Sequence, residues 1–180
     1  MRLGNDIVDL KCDAEIHPRF VQRILHPVEK VLYSGLSEAV DIWRIWAAKE
    51  AAFKAHRQGP SPVGFFIPSR WLVDLQLQKV FFGDEEYLLR FEVTADYIHA
   101  TARSEDRPYS GRIYSSESEL LPEEQKQKGQ TLREELGLAK EAFKDAGGIP
   151  RLAFPYSLTH HGRHVAVVRA HQEFKDSTPP

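Results

Sequence analysis

The spacing of apolar residues changes along the chain from a helical repeat to a two-residue repeat. Residues 37–57 place apolar side chains at helical spacing, and a Gly-Pro pair at Gly59 ends the run. Between residues 73 and 103, apolar and polar residues alternate, with a turn at Gly83. Such alternation indicates antiparallel strands with one buried face. We therefore expect an α+β fold in which an antiparallel sheet packs against one long helix.

Shorter elements are expected on both sides of these regions. Residues 3–10 read as a strand, and residues 164–168 read as the last strand. A short helix is expected to begin at Pro18, since proline suits the first helical position. It should end at the His26-Pro27 pair, because the residue before a proline disfavours the helical region.

The middle of the chain is more polar than the rest. Residues 104–130 are rich in Ser, Glu, Gln and Lys, and we expect a loop or a poorly ordered insertion there. A capping-box pattern at Thr131 predicts that another helix starts at that point. We treat residues 1–170 as a single domain with a polar insertion around 104–147, followed by a frayed tail over 171–180.

Composition excludes several classes of protein. The 180 residues contain a single cysteine, so neither an intrachain disulfide nor a Cys-based zinc site can form. No signal peptide or membrane-spanning run is visible, and we expect a cytoplasmic protein. The net charge of −2 gives no reason to expect nucleic acid or an anionic membrane as a partner. Any bound anion must therefore meet a local cluster of cations.

Glu50 occupies an unexpected position on the predicted long helix. At about 100° per residue it falls in the same sector as Trp43 and Trp46, on the face that the helix should bury. An isolated buried carboxylate is costly, so Glu50 requires a cation. One explanation is that Lys54, one turn further on, pairs with Glu50 at the edge of the core.

A second explanation is a divalent metal ion. Asp6, in the first predicted strand, would supply another oxygen ligand, since ions such as Mg²⁺ bind one or two carboxylates together with waters and phosphate oxygens. Lys49 and Lys54, on either side of Glu50, would then face the anion that the metal holds. That arrangement is typical of a phosphate-binding site. The residues alone leave both explanations open.

Four segments of the chain match the signature pattern of one family. They are GNDIVDL (residues 4–10), RFVQRILHPVE (19–29), WAAKEAAFK (46–54) and YSLTHHGRHVAVV (156–168). Together they resemble the 4′-phosphopantetheinyl transferase superfamily, and their order resembles its holo-acyl-carrier-protein synthase branch. Four matches in register are much more specific than one. Residues 104–147 have no counterpart in this pattern.

The resemblance implies a reaction and an assembly. Members transfer the 4′-phosphopantetheine arm of coenzyme A to a serine of an acidic apo acyl carrier protein, release 3′,5′-ADP and require Mg²⁺. Such carriers serve fatty-acid or polyketide biosynthesis. Single-module members commonly form homotrimers, in which the strand around His160 would complete a neighbour's site. The alternative is a non-catalytic carrier-binding module of the same fold, which would have no need for the joint presence of Asp6, Glu50 and Lys54.

The resemblance also implies a role for each matched residue. Asp6 and Glu50 match the metal-binding carboxylates, and Glu50 also matches the candidate base for the serine proton. Lys54 matches the lysine that neutralises or protonates the departing pyrophosphate oxygen. The implied contacts to coenzyme A come from Lys49, His160, Arg44, Ser157 and Thr159.

Three positions depart from the family pattern, and the first is Asn5, which stands where an apolar residue is more common. Val8 stands where other branches carry a further acidic ligand, which leaves water or Asp9 as the third metal ligand. Ile45 stands where short bacterial synthases often carry Arg, so the resemblance supports the role of the neighbouring Arg44 less than it supports the other roles.

Arg19 and Arg23 lie four residues apart on the first predicted helix. On their own, they indicate either solvated surface or a docking stripe for an acidic partner. Because the equivalent helix of the family docks acidic carriers, the resemblance favours the docking role.

Three histidines suggest one further alternative, a zinc hydrolase. His160 and His164 have the i, i+4 spacing that chelates zinc on a helix. Gly162 interrupts a helix there, and the flanking residues alternate as in a strand. No glutamate lies between the histidines to act as a base, so we do not expect this site.

Overall fold

The computed structural model describes residues 1–12, 16–33, 39–60, 62–138, 143–144, 150–151 and 155–171. The first half contains β1 (Leu3–Asp9), α1 (Pro18–Ile24), α2 (Pro27–Leu32), α3 (Ala39–His56), a short 3₁₀ helix (Pro68–Arg70), β2 (Leu72–Asp74), β3 (Lys79–Phe82) and β4 (Glu85–Val93). The second half contains β5 (Tyr97–Arg103), β6 (Tyr109–Ser115), α4 (Pro122–Glu135), β7 (Phe143–Lys144), β8 (Pro150–Arg151), β9 (Tyr156–His161) and β10 (His164–Ala170).

Two antiparallel sheets form the framework. The larger has the strand order β1-β5-β4-β3-β2, and the smaller has the order β6-β10-β9. α3 packs against β1 and β5, and its fully buried alanines, including Ala48 and Ala52, allow close contact with Ala100 and Ala102 of β5. The expected α+β class with antiparallel strands is confirmed.

Gly4 permits the close approach of β1 and α3. A Cβ atom at this position would lie 2.0 Å from the carbonyl oxygen of Ala51 and 2.5 Å from the backbone nitrogen of Ala55. Alternate residues of a strand share a face, so Asp6 lies on the same face as Gly4. The glycine therefore brings Asp6 close to the side chains of α3.

Residues 104–130 do not form the expected loop. β6 pairs with β10, and α4 begins at Pro122, well before the predicted start at Thr131. The Thr131 hydroxyl bonds to the carbonyl oxygen of Gln127 within the helix, at 3.2 Å. α4 is mostly exposed, with few buried residues, so its polar composition reflects a surface helix.

The His26-Pro27 pair has two structural roles. It ends α1, as expected, but Pro27 also occupies the first turn of α2, which the sequence analysis did not predict. The strand expected from residue 73 ends at Asp74, and β3 follows after a turn in which Gln78 has φ +50°. The predicted start of the long helix at residue 37 and the tail from residue 172 lie outside the described residues. No helix in the described part of the chain has the length and apolar character needed to cross a bilayer.

Gly4→Ala should destabilise the protein by about 1–3 kcal/mol or more, because backbone atoms of α3 cannot move aside as a flexible side chain can. Gly64→Ala is the control, since a Cβ there meets nothing within 4 Å. The measurement is the free energy of unfolding in urea. Equal stability of the two variants would contradict the proposed close packing at Gly4.

Candidate active site

A cleft of about 380 Å³ opens where β1, α3 and β9 meet. Its walls combine polar side chains with aromatic and aliphatic ones. The polar set consists of Asp6, Glu50, Lys54, Thr159, His160 and His161, and the apolar set consists of Ile7, Val8, Trp43, Trp46 and Leu158. Residues from three distant parts of the sequence therefore share one concave surface, as is common for ligand sites.

Asp6, Lys54 and Thr159 form a hydrogen-bonded cluster in this cleft. Lys54 Nζ donates to Asp6 Oδ1 at 2.7 Å, and the Thr159 hydroxyl donates to the same oxygen at 3.0 Å. Lys54 Nζ also contacts Thr159 Oγ1 at 3.2 Å and the carbonyl oxygen of Asn5 at 3.2 Å. The ammonium group is thereby fixed between β1 and β9.

Glu50 lines the cleft without an ion pair to any described residue. Burial raises the pKa of its carboxyl group to about 7; the charge of Lys54 opposes this shift, and that of Asp6 adds to it. The lysine expected to pair with Glu50 bonds to Asp6 instead. Glu50 is therefore partly protonated near neutral pH, as suits a group that exchanges protons.

Lys49 does not reach the cleft, contrary to the expectation that it faces a bound anion. Its side chain is fully buried and donates to Glu29 Oε2 at 2.6 Å and to the carbonyl oxygen of Ile24 at 2.7 Å. Burial lowers the pKa of Lys49 to about 8, although the Glu29 carboxylate opposes the shift. Successive helical residues point about 100° apart, so Lys49 faces α2 while Glu50 faces the cleft.

Asp9 anchors the turn between β9 and β10. Its buried carboxylate accepts hydrogen bonds from Arg163 Nε at 2.9 Å, Arg163 Nη2 at 2.8 Å and the Arg163 backbone at 2.9 Å. Burial alone would raise the pKa of Asp9, but the bonds from Arg163, Lys11 and Cys12 hold it well below its usual range. These donors occupy both carboxylate oxygens, so we exclude Asp9 from the candidate metal ligands.

Sequence reasoning missed Gly162 and Arg163. Gly162 has φ +53°, and a Cβ there would lie 2.6 Å from Asp9 Oδ2 and 2.6 Å from the Cys12 sulfur. Only glycine suits such a backbone conformation at such close range. The Gly-Arg pair lies between two segments in which apolar and polar residues alternate. This pattern predicts a hairpin turn and was the signal available in the sequence.

Of the three remaining predicted site residues, only one lines the cleft. Ser157 is buried behind the cleft, where its hydroxyl accepts from the Asn5 backbone at 3.1 Å. Arg44 bonds to Asp41 at 3.3 Å and covers the ring of Phe91, and it does not line the cleft. His160 is exposed and lines the cleft.

The donor set of the cleft fits a hard divalent cation. Asp6 and Glu50 offer carboxylate oxygens to the same space, and their charges influence each other. Among the described residues, no three acids, histidines or cysteines are grouped to hold a metal by themselves, which includes the histidines of the zinc alternative. Mg²⁺ commonly needs only one or two protein carboxylates, the remaining ligands being waters and substrate oxygens.

Comparison with known proteins identifies the family. The sequence profile of the 4′-phosphopantetheinyl transferase superfamily matches residues 2–102, more than half of the chain. The chain therefore belongs to this superfamily. No curated protein and no solved structure matches the chain. The matched range contains Asp6, Glu50 and Lys54, whereas β9 and its Thr159 lie beyond it.

Glu50→Gln should stabilise the protein above about pH 7. The native carboxyl group, with its raised pKa, binds its proton more tightly than the unfolded one, whose pKa lies near 4.5. Stability is therefore lost as the pH rises from about 4.5 to about 7, and glutamine removes this loss. In thermal melts from pH 4.5 to pH 8, the melting temperature of the variant should rise relative to that of the wild type as the pH increases. A difference independent of pH would contradict the raised pKa.

Proposed function

We propose that this protein transfers the 4′-phosphopantetheine arm of coenzyme A to a serine of an apo acyl carrier protein and releases 3′,5′-ADP, as a Mg²⁺-dependent enzyme of the holo-acyl-carrier-protein synthase type. The observation that carries the proposal is the convergence of Asp6, Glu50 and Lys54 in one cleft, within the range that the family profile matches. The same convergence argues against a module that only binds carriers, because binding alone requires no half-buried acid with a raised pKa.

Each cleft residue has a task in this reaction. Asp6 and Glu50 would hold Mg²⁺, which when bound neutralises the diphosphate and makes its phosphorus more electrophilic. Glu50 accepts the proton of the carrier serine, whose oxygen forms a bond to the β-phosphorus. Lys54 donates toward the bridging oxygen of 3′,5′-ADP as the bond to phosphorus breaks. Without a bound metal, burial holds the pKa of Glu50 at about 7, so this carboxyl group both accepts and releases a proton near neutral pH.

The apolar walls suit the rest of the transferred group. Trp43, Trp46 and Leu158 line the same cleft as the acids. They offer surface to the largely uncharged pantetheine chain and restrict water near the phosphorus. His160, exposed at the rim, is positioned to meet a phosphate of the nucleotide.

One chain supplies both walls of this cleft. Thr159 of β9 bonds to Asp6 of β1 within the same chain, so the wall that the resemblance assigned to a neighbouring subunit is present without one. We therefore propose that residues 1–170 act as one catalytic domain, and we do not retain the homotrimer as a requirement. The chain has a single cysteine, as is common in reducing compartments, so the proposal includes a cytoplasmic location.

A basic and apolar surface beside the cleft suits an acidic carrier. Arg19 and Arg23 are exposed on α1, and Arg23 borders a groove of about 560 Å³ that includes Phe66 and Ile67. Phe65, next to this groove, is 86% exposed. Cations would attract the carrier from a distance, and apolar side chains would hold it after contact.

Incubation of the protein with coenzyme A, Mg²⁺ and a panel of apo carriers should add one phosphopantetheine group to at least one carrier, as seen by mass spectrometry. Asp6→Asn and Glu50→Gln should each lower kcat/KM by roughly 10²-fold or more, since they remove a metal ligand or the base. Glu86→Gln is the control, because this exposed glutamate of β4 pairs with Lys79 of the neighbouring β3 and neither residue lines the cleft. Unmodified carriers, or full activity of both site variants, would refute the proposed chemistry.

Arg19→Glu combined with Arg23→Glu should raise the KM for the carrier on the order of tenfold or more at low salt, with little change in kcat. The effect should shrink as salt increases, because salt screens exposed charges. A matched control reverses two exposed cations elsewhere, Arg112→Glu with Lys126→Glu. Equal KM values for the two double variants would assign Arg19 and Arg23 to plain solvated surface.

A further inference from the structure

A fully buried ion pair joins the short helix α2 to the long helix α3. The side chains of Lys49, on α3, and Glu29, on α2, are both 0% exposed, and Lys49 Nζ lies 2.6 Å from Glu29 Oε2. Lysine and glutamate are almost never fully buried unless they are paired, and the desolvation of a buried pair can exceed its attraction. Stability alone therefore does not account for this pair, and its other contacts indicate what it does.

Three further hydrogen bonds connect the pair to backbone atoms. Lys49 Nζ donates to the carbonyl oxygen of Ile24, the last residue of α1, at 2.7 Å. Glu29 Oε2 accepts from the backbone N–H of His26 at 2.7 Å, and Glu29 Oε1 accepts from that of Val73, in β2, at 2.6 Å. Hydrogen bonds are directional, whereas apolar contacts are not. The pair therefore fixes the end of α1 and the start of α2 against α3 and β2.

The segment that the pair fixes also carries the proposed docking surface, which consists of Arg19, Arg23 and the groove beside them. α1 and α2 contain seven and six residues, and isolated helices of that length are marginal in water, so tertiary contacts determine where they lie. Ile24 and His26 bond to the pair. Their neighbours in sequence line the groove: Arg23, Leu25 and Pro27. One side of this segment is thus bonded to the pair, and the other side forms the docking surface.

Lys49 also connects this surface to the cleft, because Glu50 follows it directly on α3. Successive residues of a helix point about 100° apart. Lys49 accordingly faces α2, while Glu50 lines the cleft. Adjacent positions of one long helix therefore determine how the docking surface lies relative to the proposed base.

We propose that Lys49 is a positioning residue for the carrier: together with Glu29, it holds the docking surface in a fixed position relative to Glu50, so that the serine of a docked carrier reaches the base. The inference rests on the proposed function and extends it, because it assigns a role to a side chain that lies outside the cleft. Small displacements of a reacting group greatly lower a reaction rate. A docking surface that shifts should therefore slow transfer to the carrier without affecting the binding of coenzyme A.

Lys49→Met combined with Glu29→Gln removes both charges of the pair. The flexible methionine fills the space of the lysine stem, and the glutamine can still accept the bond from the Val73 backbone, so we expect the variant to fold. Its kcat/KM for the carrier should fall on the order of tenfold, while the KM for coenzyme A stays the same. The matched control, Lys79→Met with Glu86→Gln, makes the same substitutions in a pair on β3 and β4 and should keep the wild-type values.

A double-mutant cycle distinguishes positioning from a general effect on the structure. The substitutions at Lys49 and Glu29 are also introduced into the chain with Arg19→Glu and Arg23→Glu, whose docking surface is already impaired. If the pair acts through that surface, the substitutions should lower kcat/KM for the carrier much less in this background than in the wild type. A general structural effect would give the same fold-loss in both backgrounds, as independent sites do, and that result would overturn the proposal.

The wild type separates this proposal from the proposed function. If the wild type modifies a carrier and the Lys49, Glu29 double variant does so with the same kcat/KM, the positioning role is refuted and the proposed function stands. If the wild type modifies no carrier, both are refuted.

Thermal melts verify that each variant is folded. If the double variant does not fold, Glu29→Gln alone takes its place in the same cycle, since it keeps the bond from Lys49 to the carbonyl oxygen of Ile24. It should give a smaller loss of kcat/KM for the carrier that again nearly disappears in the chain with Arg19→Glu and Arg23→Glu. Equal losses in the two backgrounds would overturn the proposal here as well.

Discussion

The hydrogen-bonded cluster of Asp6, Lys54 and Thr159 is the interaction on which the candidate site depends. It joins β1, α3 and β9, three elements that are far apart in sequence. A lysine side chain is long and loses much conformational freedom when it is fixed, and here a carboxylate, a hydroxyl and a carbonyl hold it. Other features make the cluster possible: Gly4 lets α3 approach β1, and the ion pair between Asp9 and Arg163 holds the β9 hairpin against the end of β1.

The sequence predicted those site residues whose position follows from local geometry. Glu50 was singled out because helical spacing places it with Trp43 and Trp46, and all three line the cleft. Lys49 was expected to face the bound anion, but its side chain lies outside the cleft because its partner, Glu29, lies on α2, a helix that was not predicted. A pattern within one helix indicates which residues share a face, but it does not indicate what each face packs against. The pairing of Lys54 with Asp6 could not be predicted for the same reason, because Asp6 lies on β1, outside the helix that carries Lys54.

The fold was predictable to a similar degree. Strand alternation and helix periodicity gave the α+β class, the position of β1 and the last strand, because each has a clear apolar pattern. α4 was missed over most of its length, since a helix with few buried residues, among them Leu132, has almost no periodic signal. Its stability comes from packing on β10, a tertiary contact that outweighs local composition. The start of α2 was missed because the same proline that ends one helix begins the next.

The balance of charge in the cleft bears on how a site with two acidic residues would bind a diphosphate, as proposed. Apart from its histidines, the described cleft carries Asp6, Glu50 and one cation, Lys54, so an anion alone would meet net repulsion. The raised pKa of Glu50 reduces this repulsion by protonation, but a protonated carboxyl group is a poor metal ligand. A divalent cation held by Asp6 and Glu50 would reverse both conditions, because it would attract the diphosphate and favour the ionised form of Glu50. With a pKa near 7, loss of the proton costs little at neutral pH. The proposed metal dependence and the proposed proton transfer by Glu50 thus both follow from one arrangement, in which two carboxylates face the same cleft and its lysine bonds to Asp6.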